Sequence, residues 1–536
     1  MYQQPRREHS YSRERMRREL IEKSYAAEKR KNSLKKKKQS RRRLIVIASL
    51  TLIVGFLVIK FIIETNPLKI PGKVYYDETL TAAEEDELTE IFGDYIGDNS
   101  PKKLVHDVTF SAVTSMQKSS DKNTVLFELE LPTVDFYSNE INIAESEVSS
   151  NKINWTPFED LSSETRVVSI DNKYFFDTLN EGAKYRYLKI DSVNPSESRQ
   201  ILEDALSRRG KNYPTDNAKI LSFAQTGVTA LTRAMTNTLN GRAEGRGSYF
   251  ADNIKDFLAK NDLTHISNEV SFADNCKGGK STMSLCADWR TLDTITAIGT
   301  DIIELTGNHN NNYGYDANTK TINKYHELGI QTFGGGINES EAQKPLQIAK
   351  KDQHITLLGY NESTSTKDNG ELADGENPGA NGYSDEKAAS DIKAAKDRGD
   401  FVIVDVQFAE CYSYPEGYSE MPECDAPIAG QKRFFRNLID LGADLVIGTQ
   451  AHHPQTFEIY NGKPIYYGLG NLFFDQTYWP GTQRGYVLTH YFVNGKLLNT
   501  RISPTWYDEK HQVYLTNEQT SEKFIKRLVE SSPKGE

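Results

Sequence analysis

Cysteine is scarce in this chain, with four among 536 residues and none in a CxxC pair. That spacing excludes the paired-cysteine zinc sites and the thioredoxin-type redox motif. The glycine loops that cradle nucleotide phosphates are missing too, since neither GxGxxG nor GxxxxGKS/T follows the apolar strands, and nucleotide cofactors are not indicated. No excess of positive charge exists beyond residue 43. Residues 1–43 hold seventeen Lys and Arg against five Glu, a net of +12, and the overall −10 leaves −22 for the remainder by subtraction.

The basic segment stops at the one long apolar run, LIVIASLTLIVGFLVIKFII at residues 44–63. Twenty residues at helical rise cross about 30 Å of hydrocarbon. Its one charge, Lys60, stands near the end, where its stem can snorkel to the interface. A cleaved signal peptide would have a shorter core and a small-x-small site; Glu64, Thr65, Asn66 and Pro67 follow instead. The basic flank predicts a transmembrane helix with residues 1–43 cytoplasmic and everything after Ile63 outside the cell membrane. The membrane is thus one expected partner, and the basic arm is read as a topology signal rather than a nucleic-acid site.

All four cysteines lie beyond that run. Cys276 with Cys286 and Cys411 with Cys424 are the preferred pairs, because short loops close easily, although four cysteines permit three connectivities and free buried thiols are the other option.

Residues 64–215 read as a small membrane-proximal α/β domain. An acidic amphipathic helix is expected over 79–95, strands over 124–131, 165–170 and 185–190, and a helix over 196–209. His106 and Asp107 are read there as surface residues. From residue 216 to 506 short apolar strands alternate with helices, which argues α/β. Strands are expected at 220–223, 264–267, 302–305, 355–359, 401–406, 445–447 and 464–467, with a helix at 430–441. Residues 507–536 are set off as a C-terminal tail.

Polar residues gather directly after these strands, where open α/β sheets place ligands. The clusters are TGVTALTR ending at Arg233, Ser267-Asn268-Glu269, TGNHNNNYG containing Asn308 and His309, and GTQAHHPQ containing Gln450 and His452, followed by YGLGNLFFDQ with Asn471. Arg233 offers a bidentate anion clamp. Loops on a rigid sheet converge on one site. Tyr412, Tyr414, Tyr418, Tyr478 and Trp479 fall in loops beside it, where stacking on a sugar or peptide backbone competes with ordinary packing.

In the order GVTALTR, SNE, GNHNNNYG, GGGINESEA and GADLVIGTQAHHPQTFEIYNGKPIYYGLGNLFFDQ, residues 220 to about 506 resemble the CapA family of capsule, or poly-γ-glutamate, synthesis proteins. The resemblance implies a metallophosphoesterase-like fold, two β-sheets packed face to face and flanked by helices. It also implies a site built from an Asp in the first turn, Asn and Glu, an Asn-His pair, and later His residues. This chain departs from that set. Val228 stands where Gly-Asp is usual, Gln407 replaces a His in the segment ending at Glu410, and Gln450 replaces the first His of the last turn.

The surviving set makes Glu269, His309, His452 and Glu410 the expected ligands of one divalent metal ion of unassigned identity, and a two-metal site much harder to build. Asn308, His309 and His452 are the implied catalytic residues, and Arg233, Asn268, Gln407, Gln450 and Asn471 the implied substrate contacts. The resulting expectation is a membrane-anchored protein of capsule or envelope polymer synthesis, with the polymer and other membrane proteins of its synthesis as partners and no nucleic acid. The alternative is a membrane-anchored metal-dependent phosphoesterase or amidohydrolase.

Overall fold

The computed structural model describes residues 72–96, 104, 106–149, 152–211, 213, 219–276, 285–362, 370–411 and 424–533. The expected membrane span at 44–63, and Tyr412, Tyr414 and Tyr418, lie outside them. Among the described residues no helix is long and apolar enough to cross a membrane.

The chain divides into two compact units. In the smaller, a helix at Ala82–Gly93 starts at a capping box. The Thr81 hydroxyl accepts from the Glu84 backbone and the Glu84 carboxylate accepts from the Thr81 backbone, which satisfies two donors the helix itself cannot. Leu88, Ile91 and Phe92 form its buried stripe.

The larger unit begins with an antiparallel sheet in which Thr124–Asp135 pairs with Glu181–Ser192, Asn154–Pro157 and Thr165–Val167. Two further sheets follow. The first has eight strands: β1 (Leu221–Thr229), β2 (Leu263–Asn268), β3 (Ile302–Glu304) and β4 (Gln331–Phe333) run parallel. The second contains β5 (Leu346–Lys350), β6 (Gln353–Asn361), β7 (Phe401–Gln407), β8 (Leu445–Thr449), β9 (Phe457–Tyr460) and β10 (Lys463–Tyr466), in the order β5-β6-β7-β8-β10-β9. The chain then returns to the first sheet as β11 (Asn471–Phe473), which pairs with β1, and as the long strands β12 (Arg484–Val493) and β13 (Lys496–Tyr507), with β14 (Val513–Leu515) at the edge.

Alternation along each strand sends neighbouring residues to opposite faces, and here both faces are apolar. Phe223, Leu357, Ile403 and Ile447 enter one core shared by the two sheets. Their neighbours Ala224, Leu358, Val404 and Val446 enter two other cores, on the helix side of each sheet. On the first sheet that side is covered partly by α1 (Tyr315–Glu327), through Ile322 and Tyr325. On the second it is covered by α2 (Asp385–Asp397) and α3 (Gln431–Asp440), through Ile392, Phe435 and Leu438. The result is a mixed α/β fold of several sheets with flanking helices. The expected strands and helices all appear, with ends shifted by a few residues.

Two regions exceed the sequence expectation. The hairpin β12–β13 carries a core with the preceding antiparallel sheet, where Tyr491, Val493 and Leu498 pack with Leu129, Phe175 and Tyr185. Asn499 seals that contact: its Oδ1 accepts from the Val167 backbone at 2.9 Å and its Nδ2 donates to Tyr174 at 2.6 Å. The segment set off as a tail forms β14 and α4 (Glu518–Glu530), whose Ile525 and Leu528 are buried in the inter-sheet core. Both preferred disulfides are present, Cys276–Cys286 and Cys411–Cys424.

Candidate functional site

The polar clusters sit at the carboxyl ends of the parallel strands. Register fixes their neighbours: Asn268 pairs with Thr229, Gln407 with Thr449, and Asn471 with Val228. The close approach of β1 and β11 requires glycine, because a Cβ on Gly227 would stand 1.9 Å from the Gly470 carbonyl oxygen. Val228 donates its N–H to that carbonyl at 2.9 Å, while its side chain joins the helix-side core. The position where the family pattern carries Asp is therefore hydrocarbon packing in this chain.

Glu269 follows β2. It is 2% exposed, and neither carboxylate oxygen has a hydrogen-bond partner. Burial, then the charge of Glu410, holds its pKa well above the usual carboxylate range. Asn308 follows β3 with its side-chain oxygen buried and unpartnered.

The two histidines are oriented in the same way. His309 Nδ1 lies 2.8 Å from Asn312 Oδ1, and the Asn312 amide cannot be flipped, because its Nδ2 donates to Glu371 at 2.5 Å. Nδ1 therefore carries the proton and Nε2 the lone pair. His452 Nδ1 lies 2.9 Å from Asn471 Oδ1, whose Nδ2 donates to Gln476 and to the Thr482 carbonyl, each at 3.0 Å. Nε2 again carries the lone pair. Burial lowers both imidazole pKa values, that of His452 to about 4, so both rings are neutral near pH 7.

Gln407 donates to Gln450 at 2.6 Å, and Gln450 donates to Glu410 at 3.2 Å. The two replacement amides thus form a chain that ends on a carboxylate. Cys411–Cys424 packs on Ala451, and the His453 N–H donates to the Cys411 carbonyl at 3.2 Å, so the disulfide pins Glu410 beside the turn that carries His452. His453 itself points elsewhere, to Asp425 at 2.7 Å.

His309 and His452 open on one cavity of about 360 Å³, walled also by Arg233, Phe474, Asp475, Tyr478 and Trp479. Tyr478 is 74% exposed at its mouth. Arg233 is not a free clamp: its Nε and Nη2 donate to Asp475, with Nη2 to Oδ1 at 2.5 Å. Asn268 turns away and donates to the Val270 carbonyl and to Tyr325. Asn471 orients His452. Among the described residues no three His, Cys, Asp or Glu side chains are drawn into a closed metal cage. The structure adds Asn312, Glu371 and Asp475 to the site. Asn312 and Asp475 lie within quoted motifs and were legible by position, whereas Glu371 carried no local signal.

Comparison with known proteins places these residues in a family. Residues 222–476 match the model of the family described as "Bacterial capsule synthesis protein PGA_cap". The capsule biosynthesis protein CapA of Bacillus anthracis is 23% identical over 265 residues, covering 49% of this chain and 61% of that one. The PGA biosynthesis protein CapA of Bacillus subtilis is 25% identical over 241 residues, covering 45% and 59%. A probable polyglutamine synthesis accessory protein of Mycobacterium tuberculosis is 28% identical over 187 residues, covering 33% and 46%. The chain therefore spans about six-tenths or less of the length of these relatives. Among solved structures, the NAD nucleotidase of Haemophilus influenzae aligns with a TM-score of 0.30 at 10% identity, covering 58% of this chain and 62% of that one. Glu269, Asn308-His309 and His452 all lie at strand ends inside residues 222–476, the stretch in which this chain is similar to the capsule synthesis proteins of the CapA family.

Proposed function

We propose that this chain is a CapA-type accessory protein of poly-glutamate or related capsule and envelope polymer synthesis, anchored by residues 44–63 with its CapA domain outside the membrane. The observation that carries this reading is the strand-end cavity. Two neutral imidazoles with fixed tautomers face it under aromatic side chains, and the buried, unpartnered carboxylate of Glu269 lies behind, next to Val270, whose backbone pairs with His309. The polymer class is taken from the relatives' names, which read capsule biosynthesis in Bacillus anthracis, PGA biosynthesis in Bacillus subtilis and polyglutamine synthesis in Mycobacterium tuberculosis. The unpartnered Asn308 oxygen suits an amide N–H of such a chain, whereas Gln450 is already committed to Gln407 and Glu410.

This reading includes a metallophosphoesterase-like arrangement of the two sheets, and the donor chemistry fits one divalent ion. Glu269 is a buried carboxylate without partners, and each imidazole is backed by an asparagine in the manner of oriented metal ligands. Glu269, His309 and His452 would hold the ion, with Glu410 as a fourth donor. When bound, it would supply Lewis acidity toward a carbonyl or phosphoryl oxygen. The neutral charge of Val228, Gln407 and Gln450 disfavours a second ion. This donor set favours the alternative reading, a metal-dependent phosphoesterase or amidohydrolase, to the extent that an ion is present.

Gene deletion and complementation in the source strain test the proposal. Deletion is expected to remove polycarboxylate from the cell surface, and the full chain to restore it. Unchanged surface polymer in the deletion strain would sink it.

A further inference from the structure

The outer part of the chain is acidic, yet one of its cavities is basic. It measures about 640 Å³ and is lined by eleven described residues, of which Arg484, Lys523 and Arg527 are cationic and none is Asp or Glu. Two elements build it. Across the sheet edge, Arg484 of β12 is in register with Trp506 of β13, and Trp506 with Tyr514 of β14, so the three side chains share one face. Trp506 stacks on Tyr514 with ring centroids 5.6 Å apart and is 42% exposed. On α4, Thr520, Lys523, Phe524 and Arg527 recur at helical spacing and turn one stripe to the cavity, while Ile525 and Leu528 anchor the helix in the core.

The cations are not there to neutralise one another's partners. Arg527 pairs with Asp425 at 2.6 Å, and Asp425 is already engaged by His453. The Arg484 guanidinium makes no hydrogen bond or ion pair among the described residues; burial, then the charge of Arg527, lowers its pKa, against the weaker pull of Asp425. Lys523 likewise has no counter-ion among them. Two cations beyond the Asp425 pair, lining one cavity with an exposed indole, describe a site for a chain that carries repeated anions on an organic backbone. The loop at residues 476–483 separates this cavity from the first: Tyr478 and Trp479 line one side, Pro480 and Gln483 the other.

We infer that the cavity between α4 and the β12–β14 edge binds the carboxylates of an acidic polymer, as a second subsite beside the His309/His452 cavity. Regularly spaced carboxylates meet Arg484 and Lys523, and the backbone between them lies on Trp506. The inference rests on the polymer reading above for the chain's origin, and on the charge arrangement alone for the site.

The test is fluorescence anisotropy with the full chain in a neutral detergent, using labelled oligo-γ-glutamate and labelled oligogalacturonate of about ten units. Both probes carry repeated carboxylates, on a peptide and on a sugar backbone. Arg484→Gln with Lys523→Gln is expected to weaken binding about tenfold or more, and the affinity of wild type to fall with salt. The melting temperature should stay put, because neither side chain has a partner to lose. Loss of oligo-γ-glutamate binding in the double variant supports the cavity and the polymer together. Loss confined to oligogalacturonate keeps the cavity and removes the poly-glutamate reading. Equal affinity of wild type and double variant for both probes overturns the inference, and so does full competition by inorganic phosphate at matched charge. Oligo-γ-glutamate binding that is lost in His452→Ala but kept in the double variant would leave the polymer reading standing and reject this cavity.

Discussion

Asn312 and Asn471 have the same task at two different strand ends. Each presents a side-chain oxygen to a histidine Nδ1 while its own amide nitrogen is committed elsewhere, to Glu371 in one case and to Gln476 and Thr482 in the other. Those outer bonds decide which way the asparagine faces, and the asparagine decides which imidazole nitrogen can coordinate. If Glu269, His309 and His452 hold an ion, the orienting residues should matter nearly as much as the ligands. Titration with Zn²⁺ or Mn²⁺ and elemental analysis of the purified chain provide the check. Occupancy of at most one ion is expected, lost in His309→Ala and in His452→Ala. Asn312→Ala should weaken affinity by about 10- to 100-fold. His453→Ala should retain the ion, since that ring is bound to Asp425 instead. Two tightly held ions, or full occupancy in His452→Ala, would defeat the assignment.

At the scale of elements, the two parallel strand runs were legible because both of their faces are buried, so the sequence reads as short, nearly unbroken apolar segments. The hairpin β12–β13 was not. Its buried positions include Thr489 and His490, and only the cross-strand partner shows how the imidazole is accommodated: His490 Nδ1 meets the Thr500 hydroxyl at 2.8 Å, while Nε2 stays buried without a partner. The site was legible to the same depth. Glu269, His309 and His452 lie in motifs, but Glu371 reaches His309 through a fold contact 59 residues from Asn312. The basic cavity needs strand register and a helix face before its residues become neighbours at all.

The inter-sheet layer makes a further prediction. Glu304 on β3 is fully buried, and burial, then the charge of Asp405, raises its pKa to about 8. The folded chain thus keeps a proton that the unfolded chain releases near the ordinary glutamate value of 4.5. Between those limits the native state binds more protons, so this group's contribution is complete below the unfolded pKa and is lost as pH rises through about 8, at about 1.4 kcal/mol per unit. Glu304→Gln keeps an acceptor for Thr306 without the titration. Thermal melts from pH 5 to 8 should fall more steeply for wild type than for this variant. Parallel curves would exclude Glu304 as the source.

For the whole molecule, charge and topology are linked. The +12 of residues 1–43 directly precedes the one apolar run long enough to span a bilayer, and residues 44–536 together carry a net −22 with both disulfides. Lys and Arg flanking a span are retained on the cytoplasmic side, and disulfides persist in oxidising compartments. These two independent preferences give the same orientation. A CapA-type domain outside the membrane would meet a polymer leaving the cell, and a basic cavity on a net negative chain would draw an acidic polymer to that cavity rather than let it coat the domain. Protease added to spheroplasts should therefore degrade an epitope placed after Glu536 and spare one placed before Tyr2 until the membrane is permeabilised. Protection of the C-terminal epitope together with loss of the N-terminal one would invert the topology, and the cavity would then face the cytoplasm.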